Sequence, residues 1–90
     1  MSKVVVIYKP LGEHARAIED YMREFFRQTG SELSTIDPET REGIDTCRAY
    51  DIIEYPSVIA LSDDGLLLNS WSGLPLPTIN EVNYYNPRNA

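Results

Sequence analysis

Redox or soft-metal chemistry in this chain would have to run through one cysteine, Cys47, and near-neutral base chemistry through one histidine, His14. A single cysteine excludes an intrachain disulfide and a cysteine-based metal site, and one His beside it leaves no ligand set for zinc. Cys47 falls mid-helix on the same face as Ile44, where a free cysteine behaves as a small buried hydrophobe. It is placed on the far side of that helix from Pro56. His14 stands in a first helical turn, with Glu13 beside it and Lys9 upstream. General-base work needs partners in reach, and no carboxylate–His–nucleophile set is visible. These three side chains suit the rim of a concave site instead, where first-turn N–H groups can take an anion.

Further along, the stretch Tyr50-Asp51-Ile52-Ile53-Glu54-Tyr55-Pro56-Ser57 is followed by the apolar run Val58-Ile59-Ala60-Leu61. It reads as a helix end, a short connection, a proline and a buried strand. Proline cannot donate to a sheet ladder, so at the mouth of a strand it marks an edge, a bulge or a special turn.

The elements that must position these residues are legible from periodicity. Val4-Val5-Val6-Ile7-Tyr8 is the continuous apolar run of a strand covered on both faces. From Glu13 to Gln28 the period becomes helical, with Ile18, Tyr21, Met22 and Phe25 as the buried stripe and Glu19–Arg23 as an i,i+4 pair. Gly30 stops that helix. Leu33 to Ile36 reads as a short second strand, and Asp37-Pro38-Glu39 as a helix start. The second helix turns Ile44, Cys47 and Tyr50 inward, with Gly43 weakening it. Ser57–Leu61 and Leu66–Trp71 form a hairpin around Asp63-Asp64-Gly65. Thr78-Ile79-Asn80-Glu81 is a capping box opening a short last helix, with Ile79 and Val82 inward. The order is β-α-β-α-β-β-α, an α/β chain with a parallel first pair, an antiparallel hairpin and helices on both faces of a four-stranded mixed sheet.

Ninety residues form one domain, and 42% hydrophobic content suffices for one core. No run reaches the length of a membrane span and no signal-peptide pattern opens the chain, so the expected setting is cytoplasmic, without a membrane partner. The net charge of −6 is concentrated in residues 31–90, which hold ten acidic and three basic residues. Without a basic footprint, nucleic acid is not an expected partner. The acidic run Glu39, Glu42, Asp45, Asp51 and Glu54 is a solvated face or, in a sharper reading, a dock for a basic partner. Trp71, Tyr84 and Tyr85 are core-edge aromatics.

The order of elements, the proline opening the third strand, the Tyr-x-Ile-x-x-x-Pro pattern of residues 50–56, Asp64-Gly65 and Gly73 together resemble the thioredoxin/glutaredoxin family over nearly the whole chain. The resemblance implies a cis Pro56 and a thioredoxin-like domain over 1–85, with 86–90 as a flexible tail. It also implies a Cys-x-x-Cys at the start of the first helix, where the helix dipole would lower a thiol pKa. That position holds Gly12-Glu13-His14-Ala15, so the dithiol is missing.

What remains is the family's capacity to pair an extended peptide with the backbone before the proline. The expected function is therefore a redox-inactive binding module, and not an enzyme, taking a protein or extended peptide in a groove formed by Lys9, Gly12, Glu13, His14, Tyr55, Pro56 and Ser57. No cofactor is expected. Two alternatives stay open. One is a thiol-dependent role through Cys47 or glutathione binding; the other is an assembly subunit that dimerises through the edge strand Leu66–Trp71. Either a monomer or a weak homodimer fits.

Overall fold

The computed structural model describes residues 2–86. Strand β1 (Ser2–Ile7) is central. On one side it pairs in parallel with β2 (Ser34–Ile36), and on the other antiparallel with β3 (Ser57–Ser62). Strand β4 (Leu67–Ser72) adds antiparallel to β3 and closes the order β2-β1-β3-β4.

Pleating divides the apolar run of β1 between two cores. Val4 and Val6 pack with Val58, Ala60, and with Ala15, Ile18 and Phe25 of helix α1 (Ala15–Thr29) and Val82 of helix α3 (Ile79–Asn83). Val5 and Ile7 turn the other way, onto Ile59 and onto Cys47 of helix α2 (Arg41–Ala49). Two helices therefore cover one face and one covers the other, which is why the central strands carry no polar side chain in the middle. Among the described residues no helix is long and apolar enough to cross a membrane.

The ends of α1 and α3 follow from their sequences. Gly30 adopts φ 75° and its N–H donates to Phe26 O at 2.8 Å, closing α1. Thr78 and Glu81 form both halves of the expected capping box.

Several local expectations are corrected. Helix α1 starts at Ala15 with His14 at its N-cap, not at Glu13. Its ion pairs are Arg23–Asp20 and Arg27–Glu24, one turn at i,i+3. Glu19, expected to pair with Arg23, instead accepts from the Tyr8 hydroxyl at 3.3 Å, because the strand end brings that phenol within reach. Ile44 is 44% exposed; the inward residues of α2 are Gly43 and Cys47, one turn apart. Gly43 is there for close approach: a Cβ on it would collide with the Asp37 carbonyl and Pro38 Cα. Asn86, assigned to the tail, is buried, and its N–H donates to Asn83 O at 3.0 Å. The rest of the expected tail, 87–90, lies outside the described residues.

Candidate functional site

The loop leaving β1 and the first turn of α1 face the chain segment entering β3. Between them lies a cavity of about 310 Å³, lined by Tyr8, Lys9, Gly12, Glu13, His14, Ala15, Ile18, Tyr55 and Pro56. Six of the seven residues expected at a groove from sequence therefore share one wall system: Lys9, Gly12, Glu13, His14, Tyr55 and Pro56. Ser57 does not. It is the first residue of β3, is 2% exposed, and its hydroxyl donates back to Glu54 O at 2.6 Å. Pairing with Ile7 and Ser72 turns it inward.

Tyr8 and Ile18, expected from their apolar spacing to be core residues, also form part of the wall. Tyr8 ends the β1 segment immediately before Lys9, and Ile18 is one turn into α1, so both have one flank at the end of the sheet. Burial raises the Tyr8 phenol pKa, and the neighbouring Glu19 carboxylate adds to the rise.

The rim is polar and mixed in charge. His14 Nε2 lies 3.6 Å from Glu13 Oε1, with both side chains substantially exposed. Lys9 Nζ stands 5.7 Å from the centre of the Tyr55 ring, a cation–π distance. Nothing in this set places a nucleophile, a base and an orienting group in a line. Among the described residues no group of three His, Cys, Asp or Glu is placed to hold a metal ion.

The Tyr55–Pro56 bond is cis, as is Leu74–Pro75 beyond β4. Gly73 N–H donates to Pro56 O at 2.7 Å, which ties the loop after β4 to the groove. Gly73 has φ 72°, a left-handed backbone that favours glycine, and a Cβ there would displace the Glu54 carboxylate. Among the described residues the backbone N–H and C=O of Tyr55 have no hydrogen-bond partner. A free donor and acceptor thus lie beside a part-apolar cavity.

No family model matches the chain, and no curated protein is similar to it at a significant level. Solved structures do match. A reduced thioredoxin pre-protein of Schistosoma mansoni superposes with a TM-score of 0.68 at 20% identity, over 92% of this chain and 73% of its own. The chain has a thioredoxin-like fold. The thioredoxin of Fasciola hepatica gives 0.68 at 16% identity, over 99% and 81% of the two chains. Thioredoxin 1 of Thermosipho africanus gives 0.61 at 15%, over 96% and 91%.

Within this thioredoxin-like fold the turn that leads into α1 (Gly12, Glu13 and the N-cap His14) and the first helical residue, Ala15, carry no sulfur. The single thiol, Cys47, is 8% exposed in the core beneath α2 and does not line the cavity. One residue of the cavity wall nonetheless reaches its sulfur. The Tyr55 hydroxyl donates toward Cys47 Sγ at 3.7 Å, because Tyr55 packs into the α2-side core while its ring also walls the cavity. Contact with Cys47, then burial, raises the Tyr55 phenol pKa.

Proposed function

We propose that this thioredoxin-like domain is a redox-inactive binding module that takes an extended protein segment into the groove beside Pro56. The observation that carries the reading is the backbone of Tyr55, without a hydrogen-bond partner among the described residues, next to the cavity formed by Lys9, Gly12, Glu13, His14, Ala15, Tyr55 and Pro56. An extended chain can bond to such a free N–H and C=O as an added strand does, with side-chain pockets supplying selectivity. Tyr8, Ala15, Ile18 and Pro56 offer apolar contact, and the mixed charges of Lys9, Glu13 and His14 set the rim.

The test is an amide-resolved NMR titration with a pool of acetylated, amidated heptapeptides and with the same pool N-methylated at alternate positions. The expected result is saturable shifts at Tyr55, Ser57 and Ala15 with the plain pool and their loss on N-methylation. Shifts that persist on N-methylation, or that map away from these residues, would exclude strand-like capture.

A second reading has one observation of its own. Strand β4 is an edge of the sheet, and Leu66 just before it and Leu67 and Leu68 within it are 65%, 44% and 47% exposed. An apolar open edge is a template for pairing with another copy. Sedimentation across a hundredfold concentration range checks it: a mass that stays monomeric removes the assembly role.

A further inference from the structure

Away from the groove, β4 and α3 enclose a broad depression of about 540 Å³ lined by Asn69, Trp71, Asn80, Glu81, Tyr84 and Tyr85. Three of the six are aromatic, one is an acid, and among the described residues no Lys or Arg lines it. The rings do not stack as a ladder. Trp71 and Tyr85 stand 5.7 Å apart with planes at 69°, and Tyr84 and Tyr85 stand 5.0 Å apart at 68°. Each pair is in edge-to-face contact, and Glu81 lines the same depression, so aromatic surface and one acid share an open site that suits a cation. Parallel rails, which a polyproline segment uses, are not present.

The walls are held in place without a ligand. Asn69 Nδ2 donates to the Tyr85 hydroxyl at 3.2 Å, and the Ser2 hydroxyl donates to the Tyr85 carbonyl. Trp71 pairs with Val58 in the β3–β4 ladder. Bonds from the Thr78 backbone and hydroxyl, with a smaller contribution from the Trp71 indole, lower the Glu81 carboxyl pKa, so that it stays ionised. Tyr84 is 71% exposed and forms the outer wall. An exposed aromatic beside two fixed ones is more than core packing requires.

The geometry points to a binding site for an alkylated ammonium group, held over the faces of Trp71, Tyr84 and Tyr85 and balanced by Glu81. Attraction between a cation and aromatic faces is the recognised basis of such cages, and alkylation suits it by lowering the cost of desolvating the charge. The depression is wider than one ammonium head and lies beside the open edge of β4. A methylated lysine on an extended protein segment therefore fits it better than a free quaternary amine, because the flanking backbone fills the remaining space along that edge.

Trp71 is the only tryptophan in the chain, so its fluorescence reads the site directly. The experiment titrates a short peptide carrying trimethyllysine, the same peptide with unmodified lysine, free tetramethylammonium, and 3,3-dimethyl-1-butanol as a neutral analogue of an alkylated head. The trimethyllysine peptide should quench or shift the emission saturably and bind at least tenfold more tightly than the lysine peptide. Tyr84→Ala and Glu81→Gln should each weaken it roughly fivefold, since one ring or one charge is removed. Glutamine still completes the capping box, so Glu81→Gln should leave the melting temperature close to that of the parent. Equal binding of the neutral alcohol would overturn the cation assignment. A free tetramethylammonium that binds as tightly as the peptide would overturn the protein source.

Discussion

The Tyr55 hydroxyl lies 3.7 Å from the sulfur of Cys47, so a single side chain joins the wall of the groove to the core beneath α2. The one thiol of the molecule is thereby covered by the residue next to Pro56. The sheet separates the sulfur, in the core beneath α2, from α1 on the opposite face, whose first turn lines the groove.

From this cover follows the behaviour of the thiol. A thiol-specific disulfide reagent at pH 8 should react with native Cys47 at least a hundredfold more slowly than with the denatured chain, since reactivity needs both thiolate and access. Tyr55→Ala should raise the native rate by tenfold or more by removing the cover while leaving the helix. A native rate equal to the denatured one would make Cys47 a surface thiol and revive the thiol-dependent alternative.

The α2 side shows how far the sequence carried and where it stopped. Hydrophobic period and turn residues were sufficient to order the strands and helices, because each of those signals is local. They could not show which side of α2 faces the sheet. Ile44 and Cys47 share a helical face by spacing, yet the loop through Asp37 and Pro38 passes so close that Gly43 takes the inward place and Ile44 turns to solvent. The groove was legible as a meeting of two loops, Lys9–His14 with Tyr55–Pro56. The inward turn of Ser57 depends on ladder register against Ile7 and Ser72, a tertiary fact.

Gly43→Ala tests that close approach. Helix propensity alone would make alanine the better residue by about 1 kcal/mol. The added methyl would overlap the Asp37 carbonyl and Pro38 Cα, both backbone and unable to swing aside. Overpacking of this kind costs about 1–3 kcal/mol, so the net effect in urea denaturation should be destabilising. A stabilised variant would show that α2 can lift away from the loop.

Helix α2 also ends on a residue poorly suited to its backbone. Ile52 N–H donates to Cys47 O at 2.8 Å, the long bond of a Schellman motif, and Asp51 occupies its left-handed position at φ 55°. Glycine is the usual residue there because a Cβ is crowded in that conformation. Asp51→Gly should therefore raise stability by about 0.5–1 kcal/mol, read as a higher urea midpoint at unchanged slope. A lower midpoint would mean that the greater freedom of glycine in the unfolded chain outweighs the relief.

Tyr21 presents the opposite defect, a polar atom in an apolar place. Its hydroxyl is buried and, among the described residues, without a hydrogen-bond partner, while its ring packs against the core that α1 shares with α3. An unsatisfied buried hydroxyl costs about 1–3 kcal/mol, so Tyr21→Phe should stabilise the fold by about 1 kcal/mol. The same burial, with a smaller contribution from Glu81, pushes the Tyr21 pKa from 10.0 up to about 12. Below pH 10 the phenol is neutral in both the folded and the unfolded chain, and its contribution is intact. As the pH rises from 10 to about 12 the unfolded chain ionises first, so stability is progressively lost across that window. Tyr21→Phe should flatten this alkaline limb in urea midpoints measured between pH 9 and 12, leaving the smaller slope due to Tyr8 and Tyr55, whose pKa values are also raised. An unchanged limb together with an unchanged midpoint at pH 7 would show that the Tyr21 hydroxyl reaches water.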